Sequence, residues 1–241
     1  MSLQTICLAV GGPLGKWFAK LHETFIVYDR YKLMLEVFRN TLLITMGALC
    51  IGLVIRTLIA VIKYLAEDSP AMKPLAWLCN IYLTVIRGIP MVVLLLIFYF
   101  VIFTSSTGIP VAILAFGINS GAYMAELIRS GINAVDSGQM EAGRSLGMNR
   151  LQAMRVVVLP QAIRYILPAI FNELIALLKE TSVAGYVAVV DLTRAGNLIR
   201  NNTYDAVNTL FLVALIYLIM IILLEWLLGK LERRLRKSDK R

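Results

Sequence analysis

The sequence predicts an all-α polytopic membrane protein with about five transmembrane helices, and three observations carry that prediction. The 241 residues are 59% hydrophobic and only 16% charged, against about 45–50% and 25% in an ordinary soluble domain. The apolar residues fall in long runs, and a bilayer crossing needs roughly 20 of them. The remaining charge, a net +9, gathers between the runs and at the C-terminus, as the positive-inside bias would place it.

The first span is read at about 41–62. Arg56 interrupts it and is expected near the end of the hydrocarbon path, where a long side chain snorkels to water. The second is read at about 89–103, extended backwards by the apolar stretch 75–86, with Pro90 in a tolerated first-turn position. The third, 109–128, carries Asn119 and Glu126, and the fourth, 161–178, is short and interrupted by Pro168. The fifth, 207–228, runs uninterrupted until Glu225. An uncharged turn, Ser105, Ser106, Thr107 and Gly108, joins spans two and three.

Orientation follows from Lys and Arg. The segment between spans three and four holds Arg129, Arg144, Arg150, Arg155 and Arg164, and residues 230–241 hold seven Lys or Arg. Both belong on the cytoplasmic side, so five spans put the N-terminus outside and the C-terminus inside. The domain plan is an extracytoplasmic or interfacial segment at 1–37, a transmembrane domain at 38–230 and a basic cytoplasmic tail at 231–241. Residues 14–38 are too polar to span and read as an amphipathic segment at the outer interface. Their mild positive excess runs against the orientation.

Other classes find little support. Basic charge beside apolar spans is explained by topology, so no nucleic-acid partner is expected. Cys7, Cys50 and Cys79 have no metal or redox spacing and read as small apolar side chains. His22 lacks a partner motif and reads as solvated. No Lys or Arg precedes the apolar stretch 3–10, so a signal peptide is not expected and the chain is taken as mature.

The most informative segment is the polar interruption 137–160. Asp136 followed by Gln139, and Asn149 followed by Gln152, both have the spacing of a helix-start capping box. Gly147 lies between them, where the first helix needs a left-handed C-terminal residue. The prediction is helix, glycine turn, helix, ended by Pro160. Such short helices need a surface to pack on. Met140, Leu146, Met148, Leu151, Met154 and Val158 supply an adaptable apolar set, although a plain solvated loop would also account for these features.

The pattern Glu141-Ala142-Gly143, three residues, Gly147, nine residues, Val157, one residue, Leu159-Pro160 resembles the cytoplasmic "EAA" loop of ABC importer permeases. Gly143 stands where the family has its second Ala, and Val157 where it has Ile. The likeness extends to the polar amino-acid subfamily through Arg87-Gly88-Ile89-Pro90, Asn119-Ser120-Gly121-Ala122-Tyr123 with Glu126 and Arg129, and Leu159 to Arg164. It continues through Asn172-Glu173, Lys179 to Ser182, and Leu231 to Leu235. It covers about residues 38–235.

The resemblance implies a type I ABC importer fold, built as a dimer with the same or a related permease chain in lipid. Residues Glu141, Ala142, Gly143, Gly147, Leu159 and Pro160 would couple it to a cytoplasmic ATPase dimer. An extracytoplasmic solute-binding protein would deliver a polar amino acid. No Gly-x-x-x-x-Gly-Lys-Ser/Thr run is present, so the chain is not expected to be an enzyme or to hold a cofactor or metal. ATP would be bound by the separate ATPase.

Ionisable groups inside a span are functional candidates by default. Glu173, with Asn172 beside it, and Asn119 mark the candidate substrate path. A Glu173 carboxylate suits an α-ammonium, and it equally suits pairing with an Arg or Lys of a neighbouring span to fix packing. Asn119 likewise suits a hydrogen bond between helices. Glu126 and Arg129 read as a pair at the membrane edge, and Glu225 as structural. An ion-coupled secondary transporter would predict paired broken helices and internal repeats, and no clear repeat is visible. A non-transporting scaffold leaves the intramembrane polar residues unexplained. An intramembrane enzyme would need a nucleophile–base pair or metal-ligand spacing that the spans lack.

Overall fold

The computed structural model describes the backbone of residues 13–104 and 107–238. Cys7, the stretch 3–10, Ser105 and Ser106 of the predicted turn, tail residues 239–241 and the Glu126 side chain lie outside the described residues.

Helix α1 (Pro13–His22) continues through a wide π turn, Glu23–Val27, and stops where Asp29 takes a left-handed conformation at φ 55°. Helix α2 (Arg30–Asp68) then runs unbroken for 39 residues. The predicted first span lies wholly inside it, and no break falls at the predicted junction between 37 and 38.

The predicted second span is two helices. After a short 3₁₀ turn (Pro70–Met72), α3 (Lys73–Gly88) ends before α4 (Met91–Ile97, extended by a π turn Phe98–Ile102). The two arms meet at 108°. The cause is local: Pro90 drives the residue before it out of the helical region, and Ile89 is extended at φ −100°, ψ 128°. Pro90 therefore caps α4 from outside instead of sitting in its first turn.

Helix α5 (Gly108–Asn133) leads to α6 (Ser137–Ser145) and α7 (Arg150–Ala153). A π turn, Met154–Val158, carries α7 directly into α8 (Leu159–Glu180). Pro160 does not end the second loop helix as its sequence position suggests. The turn's wide hydrogen bond, Leu159 N–H to the Met154 carbonyl, puts Pro160 in a first turn, where its missing N–H costs little. Pro168 likewise lies inside a continuous α8 and does not interrupt it. A 3₁₀ segment (Thr181–Val187), α9 (Leu192–Thr203) and α10 (Ala206–Ser238) complete the chain. Among the described residues four helices are long and apolar enough to cross a bilayer, or five when the bent α3–α4 pair counts as one crossing.

Three apolar cores hold the described bundle, the smallest joining Ile59 of α2 to Cys79 and Leu83 of α3 and Ala122 of α5; the other two are larger. One joins Ile44 and Leu49 of α2, Leu95 of α4, Phe116 and Met124 of α5 and Leu177 of α8. The other packs Phe25 against Val37 of α2, Leu192 and Ile199 of α9 and Val213 of α10. Small residues bring α2 and α5 together. A Cβ on Gly117 would lie 2.7 Å from the Ile51 side chain, and one on Gly47 would lie 3.0 Å from Ile113. Close approach through small residues is how apolar helices associate where lipid offers no hydrophobic drive. Cys79 is buried as an apolar side chain, whereas Cys50 is exposed. His22 is not fully solvated: its Nδ1 is buried with no hydrogen-bond partner among the described residues.

Candidate functional site

The polar interruption folds as two short helices around Gly147. Asp136 caps α6 through Gly138 N–H, which donates to Oδ1 at 2.7 Å. The reciprocal half of that predicted box is absent, because Gln139 is engaged elsewhere: Gln161 Nε2 donates to Gln139 Oε1 at 3.0 Å and to the Val157 carbonyl at 3.1 Å. The second box is complete. Gln152 N–H donates to Asn149 Oδ1 and Asn149 N–H to Gln152 Oε1, both at 2.9 Å.

Gly147 has φ +84°, in the left-handed region. Its N–H donates to the Arg144 carbonyl (3.0 Å) and the Met148 N–H to the Gly143 carbonyl (3.3 Å). This pair of bonds is the Schellman termination, which satisfies carbonyls that a helix end otherwise leaves open. Gly143 is the buried contact between the arms: a Cβ there would lie 3.0 Å from that of Ala153. Glu141 and Ala142 are exposed on α6, and Leu159 and Pro160 are exposed at the start of α8. Leu146 is 80% exposed, and Leu151 and Val156 are exposed with it. The loop is thus held by its turn and cap hydrogen bonds, tied to α8 by the Gln139–Gln161 bond, and shows uncovered apolar side chains.

Inside the bundle, α2, α5 and α8 bring together a second group. Asn119, 3% exposed, and fully buried Ser120 sit on α5 facing α8. Ser120 Oγ donates to Glu173 Oε1 at 2.8 Å, and Asn119 lies beside the Glu180 carboxylate. Arg56 completes the group, and here the expectation fails. It lies twelve residues before the end of α2, and its side chain turns into the bundle instead of out to water. It is only 5% exposed, and its Nε and Nη1 have no hydrogen-bond partner among the described residues. Arg56 feels the Glu173 charge, yet no contact of ion-pair length joins them among the described residues.

Of the three predicted path residues, then, Glu173 and Asn119 belong to one polar group and Asn172 does not, being exposed on α8. Sequence reasoning missed Arg56, Ser120 and Glu180 as members. The usable signal for Arg56 was its place in an apolar run whose helix continues to Asp68. Two other motif residues also meet: the Arg87 guanidinium lies over the Tyr123 ring, 5.8 Å from its centre.

A bundle of long apolar helices with a buried charged group and one rigid polar projection is the architecture of a membrane transport subunit. Residues 64–237 match the family described as "Binding-protein-dependent transport system inner membrane component", and the chain belongs to that family. It is a permease subunit of an ABC importer, a transport component of a family that is not catalytic.

Among curated relatives, the chain is similar to the probable glutamine ABC transporter permease protein GlnM of Bacillus subtilis (strain 168). The two are 35% identical over 216 residues, covering 88% of this chain and 98% of the relative. It is 34% identical over 209 residues to the arginine transport system permease protein ArtQ of the same organism, covering 82% and 92%. A crystal structure of an amino acid ABC transporter with histidines aligns at TM-score 0.80 and 39% identity, over 87% of this chain and 98% of that one. The MetNI methionine ABC transporter, in inward-facing form, aligns at TM-score 0.73 over 85% and 97% of the two chains. At 23% identity that likeness speaks to the fold alone.

Proposed function

We propose that this permease carries a polar amino acid across the bacterial cytoplasmic membrane. A cytoplasmic ATPase dimer would dock on α6 and α7, and an extracytoplasmic binding protein would supply the substrate. The observation that carries the coupling role is the exposed, hydrogen-bond-locked turn at Gly147. A rigid projection transmits displacement, whereas a floppy loop would absorb it. Glu141, Ala142, Gly143, Gly147, Leu159 and Pro160 form the docking element in this reading, and the Gln139–Gln161 bond passes its motion to α8.

Glu173 and Asn119 lie on the substrate path, with Arg56 offering a buried guanidinium to a substrate carboxylate and Glu173 a carboxylate to its ammonium. Five crossings, counting α3 and α4 as one, put the N-terminus outside and the C-terminus inside. The basic segment after α5 and the basic tail then share the cytoplasmic side. The chain binds no cofactor itself, and ATP sits on the partner. It pairs with a second permease chain, so that the halves rock about a central site. Substrate class is inferred from what the similar proteins are named for.

Proteoliposomes holding the assembled complex test this. ATP-dependent uptake of labelled glutamine, arginine or histidine, requiring the binding protein, is expected. Uptake driven by an ion gradient without ATP, or no uptake of any polar amino acid, overturns it.

A further inference from the structure

A cleft of about 250 Å³ lies where the N-terminal helices meet the turn between α9 and α10. Lys20, Glu23, Tyr28 and Arg30 wall it on one side, and Thr203 and Asp205 on the other. Between the last two stands Tyr204, held left-handed at φ 53°. Helices commonly end on such a residue, but glycine or asparagine usually takes the position, because a bulky L side chain is strained there. Tyr204 gains little in return from its own fold, since it is 93% exposed. The turn fixes it from both flanks. Thr203 Oγ1 donates to the Ile199 carbonyl at 2.8 Å and accepts from the Asp205 N–H at 3.3 Å. Buried Asp205 accepts in turn from Thr24 Oγ1 and from the Asn208 N–H and Nδ2. Across the cleft, Tyr28 is 61% exposed, with the Arg30 guanidinium over its ring, 4.7 Å from the centre. Asp29, between those two, is also left-handed, at φ 55°.

We propose that Tyr204, Tyr28 and Arg30 form the surface on which the extracytoplasmic binding protein docks, the cleft receiving an acidic side chain of that protein. Strain that the fold itself does not use is kept where a site uses it. Exposed Tyr and Arg in fixed positions anchor protein interfaces, since little freedom is left to lose on binding. The location selects the partner. Arg30 lines the cleft and Tyr64 meets Arg150 of the loop, and both belong to unbroken α2. Residues 30 and 64 are 34 positions apart, roughly 50 Å along the helix, which exceeds a hydrocarbon core of about 30 Å. The cleft therefore faces away from the loop proposed to meet the ATPase, and the family is described as binding-protein-dependent. The groups in the cleft select the chemistry. Asp205 is already engaged by the donors above, and Lys20, 3.8 Å from it, is 59% exposed. Arg30 gives one N–H to the Thr24 carbonyl and keeps the others. Against these two cations, Glu23 is the other carboxylate among the described lining residues. The positive excess of residues 14–38, which opposes the predicted orientation, is then kept for this contact. The surface rests on the proposed function, because that reading supplies the partner and its side.

The test uses the full-length permease with its ATPase in nanodiscs, and the binding protein that supports uptake in the proteoliposomes. Affinity is read by surface plasmon resonance and stability by Tm. Asn tolerates the left-handed conformation, so Tyr204→Asn should keep or raise the Tm while weakening binding about tenfold or more. Tyr204→Phe keeps the ring and should bind nearly as the parent does. Lys20→Gln should slow association and flatten its salt dependence. Parental affinity in Tyr204→Asn overturns the proposal. So does a lowered Tm, which would assign the side chain to the fold, or separation of the two permease chains, which would assign it to their own interface. An unaltered salt dependence in Lys20→Gln overturns the acidic contact. A wild-type complex that takes up solute without any binding protein fails the transport reading instead, so the two failures are distinct.

Discussion

Gly147 offers the sharpest test of the docking loop, because its role is conformational and not steric. A Cβ built at this position meets nothing within 4 Å, so side-chain volume alone has no cost there. The φ of +84° does: an L-residue held left-handed costs about 1–2 kcal/mol, and Asn tolerates the conformation best among non-glycine residues. One to two kcal/mol is a factor of roughly 5–30 in the balance between the locked turn and its competitors. Substitutions should therefore rank by backbone tolerance, with Asn mildest, Ala intermediate and the β-branched Val worst. The assay is the ratio of solute taken up to ATP hydrolysed by the reconstituted complex. Hydrogen exchange at the 147 and 148 amides, which donate to Arg144 and Gly143, is read in parallel. Gly147→Val should lower the ratio by about fivefold or more and deprotect both amides, while Gly147→Asn stays close to the parent. If Asn behaves like Val while Ala behaves like Gly, the effect follows volume and the conformational reasoning is wrong.

Three further outcomes are expected. Glu173→Gln removes the carboxyl group proposed to hold the substrate ammonium, and hydrogen bonds to charged groups contribute about 1.5–3 kcal/mol, so uptake should fall roughly 10- to 100-fold while the ATPase still co-purifies. If Arg56→Met with Glu173→Met transports normally, the two groups serve packing and not the path. Asp205, 3% exposed, accepts from Thr24 Oγ1, Asn208 Nδ2 and the Asn208 N–H at the start of α10. Losing such a cap costs about 1–2 kcal/mol, so Asp205→Ala should lower the melting temperature in detergent by about 2–8 °C; an unchanged Tm would remove the cap from the account. Gly117→Leu forces a side chain into Ile51 and should cost about 1–3 kcal/mol through overpacking, seen as less folded protein in the membrane. Ile51→Ala should restore much of it, and no rescue would mean that α2 and α5 do not meet there.

The loop around Gly147 was legible because its determinants are local. A cap reads residues three apart, and a Schellman turn reads a glycine just past a helix end, so Asn149, Gln152 and Gly147 carried their structure in their spacing. The spans were legible because burial in hydrocarbon demands runs of apolar residues whatever the tertiary arrangement. Hydropathy could not see that Ile89 and Pro90 turn one apolar path through a 108° bend. The steric signal was present in the residue pair, but its angle depends on what each arm packs against. The same held at Pro160 and Pro168, where neighbouring geometry absorbed residues that read as breaks.

By itself, then, the sequence determined the all-α membrane class, its apolar segments, and the Gly147 turn and second cap of the loop, since each depends on composition or on hydrogen bonds a few residues long. Only the tertiary structure decided that Ser120 reaches Glu173, 53 residues away in sequence. It also turned Arg56 inward and left Asn172 outside the group. Those outcomes follow from how α2, α5 and α8 pack through their small residues, and no spacing within a single helix encodes which face its neighbour will cover.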